Sequence, residues 1–214
     1  MKIILKQLKQ LLIAAMLLGF CLPVFAQVKH TTTRKIKRPV LTPLQEFNRL
    51  ADQASVTFSF PDGFKEIKAP TNEYFSYDYA IGLPGKDFEI WFQIKPGKEN
   101  WLSYIHAKNN QLANPDSLYA AAAEAQAIAF SGGKNYFVRN IPPQVCARYN
   151  ADVGKSYLLT LLDMTATKHY KYALLITLQK NHTGNIVAVC FTNDKGPEFF
   201  KNIRLAGNCL EFNQ

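Results

Sequence analysis

The residues best suited to bind a ligand lie in a short polar turn in the C-terminal half of the chain. Arg148, Asn150, Asp152 and Lys155 bring two cations, an amide and a carboxylate close together. Such groups could hold an anionic or hydroxylated ligand, because guanidinium and ammonium groups form charge-assisted hydrogen bonds to oxyanions. A structural explanation competes, since a glycine in this segment indicates a turn in which Asn150 or Asp152 bonds the local backbone. We prefer the turn and keep the four residues as candidate ligand-binding residues.

The sequence contains none of the linear motifs that mark common metal and catalytic sites. His30, His106, His169 and His182 are scattered, and no two of them follow the H-x-x-x-H or H-E-x-x-H spacing. There is also no G-x-S-x-G nucleophile turn, no G-x-x-x-x-G-K-[ST] phosphate loop and no G-x-G-x-x-G fingerprint. We therefore expect no metal and no cofactor, and we favour a protein that is not an enzyme.

The first 26 residues have the layout of a secretory signal peptide. Three lysines precede an apolar run at residues 11–22, and Ala26 offers a small residue for cleavage. The run is shorter than the roughly 20 residues that span a bilayer, which argues against a membrane anchor. Lipid attachment at Cys21 is disfavoured because a bulky phenylalanine precedes that cysteine. We predict that residues 1–26 are removed and that the protein is periplasmic or secreted.

A basic arm is expected at residues 27–41. It contains few large apolar residues, so it cannot offset the entropy of ordering, and we predict a flexible tether. Weak electrostatic contact with anionic surfaces is the alternative. Eight of the 25 Lys and Arg residues lie before residue 39, which leaves 17 basic residues against 16 acidic ones. The nearly neutral body argues against nucleic acid as a partner.

Three cysteines remain after the leader, which is an odd number for an oxidising compartment. We predict a disulfide between Cys190 and Cys209, because the 18 residues between them can hold a turn, a helix and a return to the same sheet edge. Cys146 is then a buried free thiol. Pairings that include Cys146 stay open, as does a nucleophile formed by Cys146 and a distant histidine.

The strongest secondary-structure signal is a meander of three strands. Residues 157–162, 170–178 and 186–191 are rich in β-branched, aromatic and leucyl residues and are joined by short polar connectors. Further strands are predicted at residues 56–60, 64–68, 75–81, 88–94, 136–141 and 144–149. The last two are either two short strands or one strand that Pro142 and Pro143 break. In residues 75–81 we expect Phe75, Tyr77, Tyr79 and Ile81 to share one face.

Four helices are predicted, at residues 43–53, 101–108, 115–130 and 197–204. Thr42 opens the first helix with a capping box. The third helix is rich in alanine, and we expect Leu118, Ala122, Ala125 and Ala129 to pack on the sheet.

The segment FSFPDGF at residues 58–64, and the meander with its helix at residues 156–204, resemble the PsbP and Mog1-like superfamily. The resemblance covers roughly residues 42–205. It implies an α/β sandwich and a non-catalytic module, since that group includes photosystem accessory, GTPase-binding and functionally unassigned secreted proteins. It carries no functional residue onto this chain. We predict an α+β fold in which helices cover a central, mainly antiparallel sheet, with a C-terminal three-strand meander and terminal helix, as a single domain at residues 42–214.

These observations favour a secreted or periplasmic, non-catalytic binding or accessory protein that binds an unknown envelope ligand or protein. One alternative is an exported hydrolase whose site is assembled only in space. Another is an envelope assembly or structural factor that uses Trp91 and Trp101 as exposed aromatics, although such aromatics more often belong to the core.

Overall fold

The computed structural model describes residues 41–71, 76–107 and 112–214. Within them the helices are α1 Pro43–Gln53, α2 Lys98–His106, α3 Leu118–Ser131, α4 Pro143–Cys146 and α5 Pro197–Ala206. The strands are β1 Val56–Phe58, β2 Lys65–Glu66, β3 Tyr79–Gly82, β4 Phe88–Pro96, β5 Tyr136–Asn140, β6 Val153–Thr160, β7 Tyr172–Lys180, β8 Gly184–Thr192 and β9 Leu210–Phe212.

The expected signal peptide at residues 1–26 and all but the last residue of the arm at residues 27–41 lie outside the described residues. In the described part of the chain, no helix has both the length and the apolar character needed to cross a bilayer.

A seven-stranded antiparallel sheet forms the centre of the fold, in the order β2-β3-β4-β8-β7-β6-β5. Strands β6, β7 and β8 are consecutive in the chain and adjacent in the sheet, so the predicted meander is confirmed. The predicted terminal helix is α5. Strands β1 and β9 form a separate antiparallel pair, in which Val56 lies opposite Phe212. The fold is therefore the predicted α+β class.

Helices cover the two faces of the central sheet, and strand β4 shows how the sequence achieves this. Ile90 and Phe92 pack into a core with residues of α1, α5 and β9, whereas Trp91 packs into a second core with residues of α3. Successive side chains of a strand point to opposite faces, so the alternation within β4 supplies both cores. Trp91 is fully buried, which makes its predicted role as an exposed aromatic wrong.

Helix α1 begins as its sequence predicts. The Thr42 hydroxyl accepts from the Gln45 N–H at 3.2 Å, and the Gln45 side chain accepts from the Thr42 N–H at 2.9 Å. These two bonds satisfy backbone donors that a helix start leaves free. Phe47 and Ala51 face the core from this helix.

The segment at residues 144–149, which we predicted as a strand, is helical instead. Pro143 occupies the first helical position, where its missing N–H leaves no bond unmade. The N–H groups of Val145 and Cys146 both donate to the Pro142 carbonyl, at 2.9 and 3.0 Å. The two prolines therefore start a helix and do not interrupt a strand.

The buried face of α3 differs from the prediction. Leu118, Ala122, Ala125 and Ala129 are exposed. Ala123, Ala127, Phe130 and Ser131 are the buried residues of the helix. Alanine lies on every side of this helix, so its pattern does not fix the rotation, and burial of the large Phe130 ring does.

The predicted common face of residues 75–81 is also wrong. Tyr77 contacts Trp91 with ring centroids 5.4 Å apart, on the α3 side of the sheet. Tyr79 stacks on Phe47 of α1 on the other side, at 4.8 Å. Strand β3 begins only at Tyr79, so the strand alternation does not extend back to Tyr77. Phe75 lies outside the described residues.

Candidate ligand-binding site

A cavity of about 410 Å³ lies on the side of the central sheet that α1 and α5 cover. Its volume falls within the range of small-molecule sites. Strands β4, β7 and β8, the turn after α4 and the chain around the end of α5 line it. The lining residues are Ile90, Phe92, Arg148, Tyr149, Ile176, Leu178, Ile186, Ala188, Cys190, Ile203, Arg204, Ala206, Gly207, Asn208, Cys209 and Leu210.

Rows of apolar side chains across three strands form the floor of the cavity. Phe92 of β4 lies opposite Ala188 of β8, which lies opposite Ile176 of β7. Ile186 and Leu178 form the neighbouring row. Directly opposed residues of an antiparallel sheet project from the same face, so the register itself builds the floor. Ile176 and Ala188 are only half-buried, which leaves the floor accessible.

The end of α5 and the turn after it form one wall. The helix ends at Ala206, and Gly207 adopts a positive φ of 55° that an L side chain rarely adopts. The Gly207 N–H donates to the Arg204 carbonyl at 3.0 Å. The Cys209 carbonyl then accepts from the Ser59 N–H at 2.8 Å, which attaches the wall to the chain that leaves β1.

Two arginines lie at the rim. Arg148 follows α4 and Arg204 is in the last turn of α5, and both are exposed residues that line the cavity. Neither forms an ion pair within the described residues, and no Asp or Glu is among the described residues that line the cavity. Asn208 donates from its side-chain amide to the Arg148 carbonyl at 3.4 Å, a long hydrogen bond that connects the two sides of the rim.

Two thiols and a phenol reach the cavity. Burial raises the pKa of Cys209 to about 12. Burial also raises the pKa of Cys190 far above its usual value, and the nearby Cys209 adds to that rise. For Tyr149, burial raises the pKa, the charges of Cys209 and Cys190 add to it, and Arg148 opposes it. Since each of the three pKa values is raised, all three groups are neutral near pH 7.

The structure disperses the four residues that the sequence predicted as a ligand site. Arg148 lines the cavity. The Asn150 side chain donates to the Phe212 carbonyl at 2.7 Å, and an Asp152 carboxylate oxygen accepts from the Asn181 N–H at 2.7 Å. Lys155 lies opposite Thr177, and Thr177 lies opposite Val187, a residue of the core on the α3 side of the sheet. Asn150 and Asp152 thus bond backbone groups that are distant in the sequence and not the local backbone of the turn, and a ligand role for these residues stays a prediction.

Cys146 is a buried thiol whose Sγ lies 3.7 Å from the Ile141 carbonyl oxygen. Burial raises its pKa, so the thiolate needed for nucleophilic chemistry is disfavoured. Within the residues that the structure describes, no histidine ring is hydrogen-bonded to a thiol or hydroxyl. The His169 ring contacts the Asp163 carboxylate, and the His182 ring contacts that of Asp116.

A polar cluster around Asp116 lies beside a smaller cavity of about 290 Å³. One carboxylate oxygen of Asp116 accepts from the backbone N–H of His182 at 2.9 Å and from the side-chain amide of Gln179 at 3.0 Å. The other oxygen lies 3.3 Å from His182 Nε2. The Trp101 ring stacks on the His182 ring with centroids 3.7 Å apart. These contacts hold α2 and the turn before α3 to the β7–β8 hairpin, which gives the cluster a structural role.

No group of three or more His, Cys, Asp or Glu side chains that could hold a metal ion occurs at residues 41–71, 76–107 or 112–214.

Sequence reasoning did not identify most of the cavity. The alternation in residues 170–178 places Ile176 and Leu178 on one face, but nothing local shows that this face is left partly uncovered. The sequence places Arg204 at the end of a helix, but only the packing of α5 brings it to the same cavity as Arg148.

The fold and site together define an α+β protein with an apolar cavity on one side of its sheet. Comparison of the chain with protein-family models, curated proteins and solved structures found no match.

Proposed function

We propose that this protein is an exported, non-catalytic binding protein that holds a small apolar molecule in the cavity on its central sheet. The cavity is the observation that carries this proposal, because about 410 Å³ of space lies over rows of apolar side chains. Export is supported by the sequence layout of residues 1–26.

The floor offers a favourable contact surface to an apolar ligand. Ile176 and Ala188 are half-buried in the free protein, so a ligand placed over them removes further apolar area from water. Each buried methylene group of a ligand contributes about 0.8 kcal/mol, so a chain of several methylenes gives appreciable affinity before any polar contact forms.

The groups inside the cavity support binding more than reaction. Cys190 and Cys209 are its potential nucleophiles, and burial raises both thiol pKa values, so each thiol is neutral near pH 7. A neutral thiol is a weak nucleophile, but it is a suitable neighbour for an apolar ligand.

The test is a titration with the neutral fluorophore N-phenyl-1-naphthylamine, whose emission rises in an apolar site. Ala188→Phe places a ring on the cavity floor, and Ile203→Phe does the same from the wall. We expect either substitution to lower the probe affinity at least about fivefold. The matched control is Ala125→Phe, because Ala125 is exposed on the other side of the sheet.

Thermal unfolding of each variant shows that it is folded before it is compared. Loss of binding in both cavity variants, with binding retained in Ala125→Phe, supports the proposal. A wild-type protein that does not bind the probe, or cavity variants that bind it as well as the wild type, would overturn it.

A further inference from the structure

We propose that the ligand is a single-chain amphiphile with an anionic head, and that Arg148 and Arg204 bind this head at the rim of the cavity. The inference rests on the proposed function, because it assigns a chemical class to the molecule in the same cavity. It comes from the contrast between an apolar floor and a cationic rim.

The rim carries two arginines, and their charges are unpaired in the part of the chain that the structure describes. Arg148 and Arg204 both line the cavity, and neither forms an ion pair within the described residues. No acidic side chain is among the described lining residues. For a negatively charged group at the rim, the lining thus offers two arginines outside ion pairs and no carboxylate among its described residues.

Guanidinium chemistry fits a carboxylate or phosphate head. Each arginine presents a planar fork of N–H donors that can bind two oxygens of one anion. The side-chain amide of Asn208 lies at the same rim, where it donates to the Arg148 carbonyl. A head between the two arginines thus finds several donors without leaving water.

The floor determines where the rest of the ligand lies. Phe92, Ile176, Leu178 and Ile186 contribute apolar side chains to it, and the buried thiols of the cavity are neutral near pH 7. A charge placed on this floor loses its hydration and gains no partner, which is strongly unfavourable. The anionic end must therefore stay at the rim while an apolar chain covers the floor.

We expect the cavity to prefer an anionic amphiphile over a neutral one because of the two arginines, and not because of the overall charge of the folded body. From residue 39 onward the chain has 17 basic and 16 acidic residues, so its net charge attracts anions only weakly. The basic arm at residues 27–41 is present in every variant compared below, so its contribution cancels.

The experiment measures displacement of N-phenyl-1-naphthylamine by amphiphiles with the same twelve-carbon chain, below their micelle concentrations. Dodecanoate and dodecyl phosphate carry anionic heads, dodecanol is neutral, and dodecyltrimethylammonium is cationic. Acetate and inorganic phosphate test the heads without a chain. The variants are wild type, Arg148→Gln/Arg204→Gln and the control Arg139→Gln, whose arginine is exposed on β5.

We expect at least one anionic amphiphile to bind about tenfold or more tightly than dodecanol, because hydrogen bonds to charged groups are among the stronger ones. The double substitution should remove this preference and leave dodecanol unchanged, and Arg139→Gln should retain it. Added salt should weaken the anionic ligand more than the alcohol. Whether the carboxylate or the phosphate binds better then identifies the head.

Three results would overturn the inference, namely equal binding of dodecanol and both anions, a preference that persists in the double variant, or tight binding of acetate or phosphate alone. If the fluorophore binds but no anion is preferred, the inference fails and the apolar binding function stands. If the fluorophore itself does not bind, the proposed function fails.

Discussion

The side-chain amide of Asn150 donates to the backbone carbonyl of Phe212 at 2.7 Å, and this bond joins the turn before β6 to the last strand of the chain. Asn150 also has a left-handed backbone, with φ 51° and ψ 29°. Asparagine tolerates this conformation better than most residues. One residue therefore combines a local backbone requirement with a contact 62 positions away in the sequence.

Substitutions at Asn150 should separate these two roles. Asn150→Gly loses the hydrogen bond but accepts the left-handed backbone, and we expect a loss of about 1 kcal/mol in the free energy of unfolding. Asn150→Ala loses the bond and also adopts an unfavourable backbone, so its loss should be about 1 kcal/mol larger. Urea unfolding measures both. Equal stabilities of the two variants would show that the backbone conformation carries no strain.

Local sequence patterns predicted the parts of the fold in which neighbouring residues decide the outcome. The meander followed from β-branched and aromatic runs, and the start of α1 followed from Thr42 and Gln45. Strand β9 was missed because it has three residues, and its pairing with β1 joins Val56 to Phe212 across most of the chain. No local sequence pattern predicts such a long-range pairing.

The cavity could not be predicted for a related reason. Its floor follows from strand alternation, but its open space depends on where α5 ends and on how the chain after Gly207 turns. The rotation of α3 was misjudged because alanines surround the helix, and only the burial of Phe130 fixes it. Both features are set by tertiary packing, which overrides weak local preferences.

A close backbone approach constrains Gly184, the first residue of β8. A Cβ at this position would lie 2.8 Å from the Lys95 carbonyl oxygen on the neighbouring strand. We expect Gly184→Ala to lower the free energy of unfolding by about 1–3 kcal/mol, because the backbone of β4 must move to relieve the clash. Urea or thermal unfolding measures the change.

Gly82 in β3 is the matched control, because its nearest contact for a Cβ is the Ile67 side chain at an ordinary 3.5 Å. Gly82→Ala should change stability by less than about 1 kcal/mol, since alanine there reduces the entropy of the unfolded chain without a clash. If both variants lose the same stability, steric approach at Gly184 is not the cause.

The predicted disulfide between Cys190 and Cys209 remains open to a direct test. The structure holds both as free, buried thiols that line the same cavity, and the nearby Cys209 helps to raise the pKa of Cys190. We expect non-reducing peptide mapping of the exported protein to yield a linked peptide with these two cysteines and a free Cys146. The bridge should stabilise the protein by about 3 kcal/mol in the chain-entropy model. A linked peptide that contains Cys146, or no linked peptide, would show that the prediction is wrong.

The reduced protein should lose stability in mild alkali because of Cys209. Burial raises the pKa of this thiol to about 12, whereas an unfolded cysteine titrates near 8.5. The folded state therefore favours the protonated thiol, and this contribution is fully present below about pH 8.5 and is lost as the pH rises toward the folded value.

With a reducing phosphine present, we expect the wild type to lose about 1 kcal/mol more than Cys209→Ala between pH 7.5 and 9.5, as measured by urea unfolding. Tyr149→Phe is the control, because burial also raises the pKa of Tyr149 but an unfolded tyrosine titrates near 10, above most of this interval. Tyr149→Phe should therefore follow the wild type. A Cys209→Ala curve parallel to that of the wild type would mean that thiol burial does not contribute to the pH dependence. Cys209 would then be more exposed to solvent in solution than in the structure, where it is buried.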